Sequence, residues 1–339
     1  MCKEFLSISS CEEKEFPGLL KFDALLQKTI WGGKRITALK EFGEAIDHIG
    51  ESWEISGLKD SESSVADGIY KGYTVGQMIT LFKEDLLGKR NYQLYGNQFP
   101  LLVKFLDVNA DLSIQVHPND EQARARGYER GKTEIWYVVD AIPGAKLVSG
   151  LKEVLKPDGF QKSIDDGTIC DFLHHVSVSK GDSYFIPAGH IHAAGAGVFL
   201  IEIQQTSNIT YRIFDYNRPD INGQLRELHI EEAKSVVNMS SVNDHKISYQ
   251  PAWNKRVELK RCDYFTTSVY EMNQSQSVDY SSLDSFVVWI AFEGSAVLTD
   301  NDGNSTHLRA GESVLIPAIA SEINVSVESG TFKFIETYC

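Results

Sequence analysis

The stretch KGDSYFIPAGHIH (residues 180–192) decides how this chain is read. Gly181 and Asp182 signal a turn, Ser183–Ile186 is a short β-patterned run, and Pro187 with Gly189 closes it. Two histidines, His190 and His192, follow at once. The chain repeats the pattern in AGESVLIPAIASE (residues 310–322): Gly, an acid, Ser, two residues, then Ile-Pro-Ala. No histidine ends this second copy. The echo implies two related β-modules, with the chemistry kept only in the first.

Working outward, short β-runs dominate, among them EIWYVV (134–139), GVFLIEIQQ (197–205), SFVVWIAF (285–292) and AVLTD (296–300). Many short strands punctuated by Gly, Asp and Asn predict a mainly β protein of sandwich or barrel type. Helical signals are fewer. YTVGQMITLFKEDLLG (73–88) has apolar residues near the 3.6 period, Thr74 as N-cap and Gly88 as stop. PDGFQKSIDDGTICDFLHHV (157–176) reads as one or two short helices, and RELHIEEAKSVV (226–237) as helical in its second half. The polar junction SSVNDHKISYQP (240–251) suggests a division into residues 1–245, carrying the chemistry and the helical insertions, and residues 246–339, a degenerate β-module.

The 339 residues suffice for two or three cores. A net charge of −14 argues against a general nucleic-acid or anionic-membrane binder, since both would repel it. It leaves open an anionic small molecule, because a local cluster of Lys and Arg can override the global sign. The five cysteines (Cys2, Cys11, Cys170, Cys262, Cys339) are scattered, odd in number and without a C-x-x-C pair, as expected of free thiols in a reducing compartment. The opening MCKEFLSISSCEEKEF lacks the apolar core of a signal peptide, and no run approaches the ~20 apolar residues of a membrane span. A soluble cytoplasmic protein, monomer or homodimer, is expected.

SIQVH (113–117) carries the chemistry on the other side of the chain's apolar runs. Period two puts Ser113, Gln115 and His117 on one face of a strand, next to the core-like LLVKFLDV (101–108). A buried imidazole needs partners that an apolar core rarely gives. Glu134 opens the apolar run EIWYVV and wants a cation nearby. His117, Glu134, Gln115 and one of His190 or His192 would form a nitrogen and oxygen site suited to Zn²⁺, with Fe²⁺, Mn²⁺ or Co²⁺ also possible. A polar core network is the plainer alternative. A Zn²⁺ centre so held keeps a formal charge of about +1, able to polarise a carbonyl. Lys132 and Arg212 lie near these segments; a surface ion pair is the ordinary reading of either. The remaining histidines read as surface or packing residues, with His174 and His175 at a helix end.

Two motifs resemble those of cupins. Gly181-x5-Pro187-x-Gly189-x2-His192 fits the second cupin motif, although Ala196 replaces the Asn usual four residues after the His. In the first motif Gln115-x-His117 stands where His-x-His is usual, and Glu134 follows a long insertion. That distortion resembles the type I phosphomannose isomerases in their shorter bacterial form. The matching segments are KTIWGG (28–33), GESWEIS (50–56), FPLLVKFLDV (99–108), SIQVHPND (113–120), GKTEIWYVV (131–139), IPAGHIHA (186–193), EIQQTSNITYRIFDYNR (202–218) and RELH (226–229). Eight segments in order are a specific match.

The resemblance implies two cupin-type jelly-roll β-barrels with a few short helices, and one Zn²⁺ per chain held by His117, Glu134, His192 and, less dependably, Gln115. It selects His192 over His190 because the family pattern ends in His-Ala. It implies conversion between mannose 6-phosphate and fructose 6-phosphate through a cis-enediol. Arg212 and Lys132 take the family's catalytic arginine and lysine positions, and Ser113 and Trp53 become substrate contacts. Lys132, His190 and a water are candidates for the base. Asn208 stands where many members have Asp. A non-haem iron oxygenase and a sugar-phosphate-binding cupin without turnover are the competing readings.

Overall fold

Apolar runs that alternate poorly, such as LLVKFLDV, need a sheet buried on both faces. The computed structural model, which describes residues 16–339 except 42, 44, 221, 241 and 242, provides one. The opening segment read for a signal peptide, with Cys2 and Cys11, lies outside the described residues. In chain order the first part contains β1 (Leu25–Gly33), α1 (Arg35–Leu39), β2 (Ile49–Leu58), β3 (Ser61–Glu62), α2 (Val75–Leu87), α3 (Lys89–Tyr95), β4 (Leu101–Val108), β5 (Ile114–Val116), α4 (Asp120–Arg124) and β6 (Glu134–Ala141). It continues with β7 (Lys146–Leu151), α5 (Pro157–Asp165), β8 (Leu173–Ser177), β9 (Ser183–Ile186), β10 (His192–Ala194), β11 (Val198–Gln205), β12 (Tyr211–Phe214) and α6 (Ile230–Val236).

These strands make two facing antiparallel sheets, ordered β3-β2-β1-β4-β11-β6-β9 and β12-β5-β10-β7-β8. Between them lies one core, including Leu106, Trp136, Leu147, Ile186 and Leu200. The other face of the seven-stranded sheet, with Val103, Phe105, Ile135 and Ile201, packs on α2 and on Val288, Ile290 and Ile335 of the C-terminal part. That double burial is why β4, β6 and β11 read as near-continuous apolar runs.

The third sheet uses β13 (Arg256–Arg261), β14 (Thr266–Met272), β15 (Gln276–Asp279), β16 (Val287–Asp300), β17 (Ser305–Arg309), β18 (Ser313–Ile316) and β19 (Glu322–Tyr338). It curls around its own core of Trp289, Leu298, Phe332 and Phe334. The fold is mainly β with short helices, as the patterning predicts. The repeated motif is visible in space: β9 and β18 each run into a Pro-Ala turn, closed by His190 N–H to Pro187 O (3.1 Å) and Ala320 N–H to Pro317 O (3.0 Å).

Thr74 caps α2 in a reciprocal capping box with Gln77, and Gly88 ends the helix at φ +89°. The 157–176 segment yields α5 and a 3₁₀ turn (Ile169–Phe172), and the 226–237 segment yields α6. His174 and His175 correct the sequence reading: they sit in β8, not at a helix end. The alternation in LHHVS, with His175 and Ser177 exposed and His174 and Val176 half-buried between them, outweighed the helical run before it. Cys170, Cys262 and Cys339 are free thiols. Among the described residues no helix is long and apolar enough to cross a membrane.

Candidate active site

Two loops and two strand ends bring the polar residues together. Gly189, at φ +82°, turns the chain so that His192 starts β10, and its N–H donates to His117 O at 2.8 Å. A Cβ on Gly189 would stand 2.9 Å from the Val236 carbonyl oxygen. Gly131 lets the GKTE loop press against HPND: a Cβ there would meet Asn119 at 2.4 Å. Lys132 N–H then donates to Pro118 O at 3.0 Å, which places Lys132 and Glu134 beside His117.

In the five-stranded sheet, Arg212 pairs with Gln115 and Gln115 with His192. Directly opposed residues share a face, so these three side chains form one row pointing into the barrel. Facing them from the other sheet is Glu134. Its Oε1 lies 3.1 Å from His192 Nε2 and its Oε2 lies 3.8 Å from His117 Nε2. Lys132 Nζ is 3.1 Å from Glu134 Oε2, and Gln115 Nε2 is 3.4 Å from His192 Nε2. His190 turns the other way: its Nε2 meets Ser149 Oγ at 3.0 Å and its ring packs on His245. Burial holds its imidazole at about 3, so it stays neutral.

Among the described residues, His117, Glu134 and His192 form a group that can hold a metal ion, their ligand atoms lying within 4.8 Å of one another. Their chemistry fits one. His192 Nδ1 lies 2.9 Å from the His190 carbonyl oxygen, which only accepts, so Nδ1 carries the proton. In the neutral ring the Nε2 lone pair then faces a carboxylate oxygen, two acceptors that call for a cation between them. Burial, and after it the Lys132 charge, drives His117 well below the usual imidazole range and keeps it in the ligating form. Both ring nitrogens of His117 and both oxygens of Glu134 are buried without a well-formed hydrogen bond. Ligands bonded at about 2.0–2.2 Å in a tetrahedron stand roughly 3.3–3.6 Å apart, between the two contacts Glu134 makes.

Beside this group opens a pocket of about 320 Å³. Gln115 and Lys132 stand on its wall, with Ser113, Asn208, Thr210 and Arg212. Arg212 Nη1 donates to the Glu227 carbonyl at 2.7 Å, its Nε is buried without a partner, and no carboxylate among the described residues lies within ion-pair distance. Trp53 borders the adjoining cavity, which shares Asn208 with this one. Its indole N–H donates to Glu51 at 2.6 Å and its ring faces the Lys104 ammonium at 5.3 Å.

Lys104, Glu202, Glu51 and Arg226 also line the pocket, and sequence reasoning passed over them. Lys104 Nζ bridges Glu202 (3.0 Å) and Glu51 (3.1 Å), and Trp136 Nε1 donates to Glu202 at 2.9 Å. Burial opposes the charge on Glu202, but Lys104 outweighs it and holds the carboxyl at about 2. Lys104 is pushed upward in turn, its two carboxylates overcoming burial. The signal existed: one Lys in LLVKFLDV and one Glu in VFLIEIQQ are charges inside core strands, which demand each other.

Comparison with known proteins decides the family. Residues 19–136 match the phosphomannose isomerase type I catalytic domain, and residues 255–339 match the mannose-6-phosphate isomerase cupin domain. The chain is 36% identical over 264 residues to the mannose-6-phosphate isomerase ManA of Bacillus subtilis, spanning 76% of this chain and 81% of that protein. The chain belongs to the type I phosphomannose isomerases. That makes it an enzyme, of the isomerase class. It is also 33% identical to a mannose-6-phosphate isomerase of Streptococcus mutans, over 86% of this chain and 90% of that one. The crystal structure of the mannose 6-phosphate isomerase from Bacillus subtilis superposes with a TM-score of 0.85 at 28% identity, covering 95% of this chain and 100% of that chain. The cupin architecture expected from the two motifs is therefore the family's own.

Proposed function

We propose that this chain interconverts mannose 6-phosphate and fructose 6-phosphate through a cis-enediol, with one Zn²⁺ per chain held by His117, Glu134, His192 and Gln115. The observation that carries the reading is the cluster of His117, Glu134 and His192, with the His117 nitrogens and Glu134 oxygens buried without well-formed hydrogen bonds, beside a pocket with four cationic side chains. Gln115 reaches the set through its amide, whose oxygen and nitrogen exchange places by a half-turn. When bound, the metal supplies Lewis acidity toward the sugar's C1 and C2 oxygens.

The chain's own residues do the rest. Lys132, buried where the pocket meets Glu134, is placed to take and return the proton that moves between C2 and C1. Arg212, with unpartnered N–H groups, stabilises negative charge on enediol oxygens as it develops. Ser113 contacts the sugar from the same face as Gln115, and Trp53 acts through the wall it shares with Glu51 and Lys104. Asn208, facing both cavities, is uncharged and so orients hydroxyls instead of moving protons.

The test is metal quantification on purified protein alongside a coupled assay for fructose 6-phosphate, before and after chelation and after Zn²⁺ is returned. About one Zn²⁺ per chain and activity that follows it are expected. Full turnover by stripped protein would remove the metal from the reaction. Failure to convert mannose 6-phosphate under any metal would remove the proposed activity.

A further inference from the structure

The strand ladder that seats Glu134 stops before it reaches Lys132. Glu134 opens β6 and is paired on both sides, with Gln204 of β11 and Ile186 of β9. Lys132 and Thr133 lie outside the strand, yet they are buried, at 4% and 5% exposure. A buried backbone N–H needs an acceptor. The next carbonyl along β11 is that of Gln205, and it accepts from Gln204 Nε2 at 3.0 Å.

The Gln205 side chain supplies what the ladder does not. Its Oε1 accepts the Thr133 N–H at 2.9 Å, while its backbone N–H donates to the Thr133 carbonyl at 3.2 Å. Its Nε2 donates to Asp120 Oδ1 at 2.9 Å. That same carboxylate oxygen accepts the Gly131 N–H at 2.8 Å. With the Lys132 N–H on Pro118 O, three consecutive N–H groups are held, two of them by side chains. Only one orientation of the amide serves, because the Thr133 N–H only donates and an ionised Asp120 only accepts. Gln205 is itself 2% exposed, so little solvent competes for it.

These contacts act on Lys132 more than on Glu134. Residues two apart in an extended run share a face, which is how Lys132 Nζ and Glu134 Oε2 come to 3.1 Å. Glu134 is seated by β9 and β11 whatever happens at residue 133. The backbone that carries Lys132 is fixed instead by Pro118 on one side and Gln205 on the other.

We propose that Gln205 is a positioning residue for Lys132: its amide, anchored on Asp120, extends the β11–β6 ladder by one hydrogen bond and fixes the ammonium where the proton is exchanged. This rests on the proposed isomerase activity, in which Lys132 carries that proton. Gln205 governs the rate of proton transfer and leaves the holding of the metal to its ligands.

The experiment compares the wild type, Gln205→Met, Gln205→Glu and the double variant Gln205→Glu with Asp120→Asn. It measures Zn²⁺ affinity by competition with a chelating dye, kcat and KM for mannose 6-phosphate with Zn²⁺ saturating and well below each melting temperature, and the crystal structure of Gln205→Met. Methionine fills the space without bridging Thr133 to Asp120. In Gln205→Met kcat falls at least ~30-fold and KM changes by under ~3-fold, since displacing a catalytic group by about 1 Å costs on the order of 100-fold. Zn²⁺ affinity stays within ~3-fold, against the roughly 10–100-fold lost when a ligand's own partner is removed. Gln205→Glu sets two carboxylates against each other and slows turnover; adding Asp120→Asn restores a donor between them, and most of kcat returns. If Gln205→Met loaded with Zn²⁺ keeps the wild-type kcat, the residue serves only the fold and the proposal fails. It fails also if Zn²⁺ affinity falls in step with kcat. If the wild type converts no mannose 6-phosphate, the functional reading falls and the crystal structure decides the bracket alone: Lys132 Nζ displaced from its wild-type position upholds it, and an unmoved Nζ overturns it.

Discussion

Lys104→Met tests the buried network that walls the pocket. Lys104 is 4% exposed as a side chain and holds two carboxylates, of which Glu202 is 3% exposed and Glu51 21%. Methionine matches the stem and removes the charge. Glu202 is left ionised in the core with only the Trp136 N–H at 2.9 Å. Removing one partner of a buried pair costs about 3–5 kcal/mol; Glu51 reaches solvent and adds little, so about 3 kcal/mol is expected at about pH 7.5. At roughly 2–4 °C per kcal/mol, that lowers the melting temperature by about 6–12 °C.

The pH dependence has a definite sign. In the wild type the Glu202 carboxyl is held at about 2, below its unfolded value of 4.5, so its contribution is present above 4.5 and is lost as pH falls toward 2. In the variant burial is opposed only by the Lys132 charge and the Trp136 N–H, so the carboxyl rises well above its wild-type position. The penalty is then full at high pH and shrinks as pH falls toward 4.5. Urea unfolding followed by tryptophan fluorescence at about pH 7.5 and about pH 5 reads both, with Trp136 as a local reporter. Adding Glu202→Gln to Lys104→Met removes the stranded charge, keeps an acceptor for Trp136, and returns most of the loss. A penalty under ~1 kcal/mol at the higher pH, or one that does not shrink on acidification, would refute the assignment of Lys104 as the counter-charge.

Other substitutions probe the remaining parts. His192→Ala is expected to lose bound metal on desalting and to lose turnover, measured by metal analysis and the coupled assay; normal activity in that variant would exclude the ring as a ligand. Arg212→Ala keeps the metal and slows turnover ~100-fold, the loss typical of an electrostatic stabiliser, and near-normal rates would place it outside the site. Gly189→Ala forces a side chain into φ +82° and against the Val236 carbonyl at 2.9 Å, costing on the order of 1–3 kcal/mol and weakening metal affinity. Thermal denaturation with and without Zn²⁺ measures both effects.

Much of the fold was legible in the chain because its signals are local. Period-two runs, Pro-Gly turns, the Thr74 cap and the repeated Ile-Pro-Ala motif each act over a few residues, and they predict short strands, two modules and the placement of α2. The meeting of His117, Glu134 and a histidine of the GHIH turn was legible too, since imidazoles and a carboxylate at the ends of apolar runs need polar partners. His174 and His175 were misjudged where a helical run gives way to a strand, a boundary that pattern alone seldom fixes.

Tertiary structure decided which groups meet. The histidines at 190 and 192 are two residues apart and chemically identical; the turn at Gly189 and the pairing of His192 with Gln115 send one ring toward Glu134 and the other toward Ser149. Lys104 and Glu202 are nearly a hundred positions apart and meet only because β4 and β11 are neighbours in register. Asp215 takes both Arg218 and Arg226, but backbone carbonyls claim the rest of Arg218 and leave Arg226 on the pocket wall. Charge pairing deep in a barrel depends on strand order, and strand order is a property of the whole chain's packing, which no short window of residues contains.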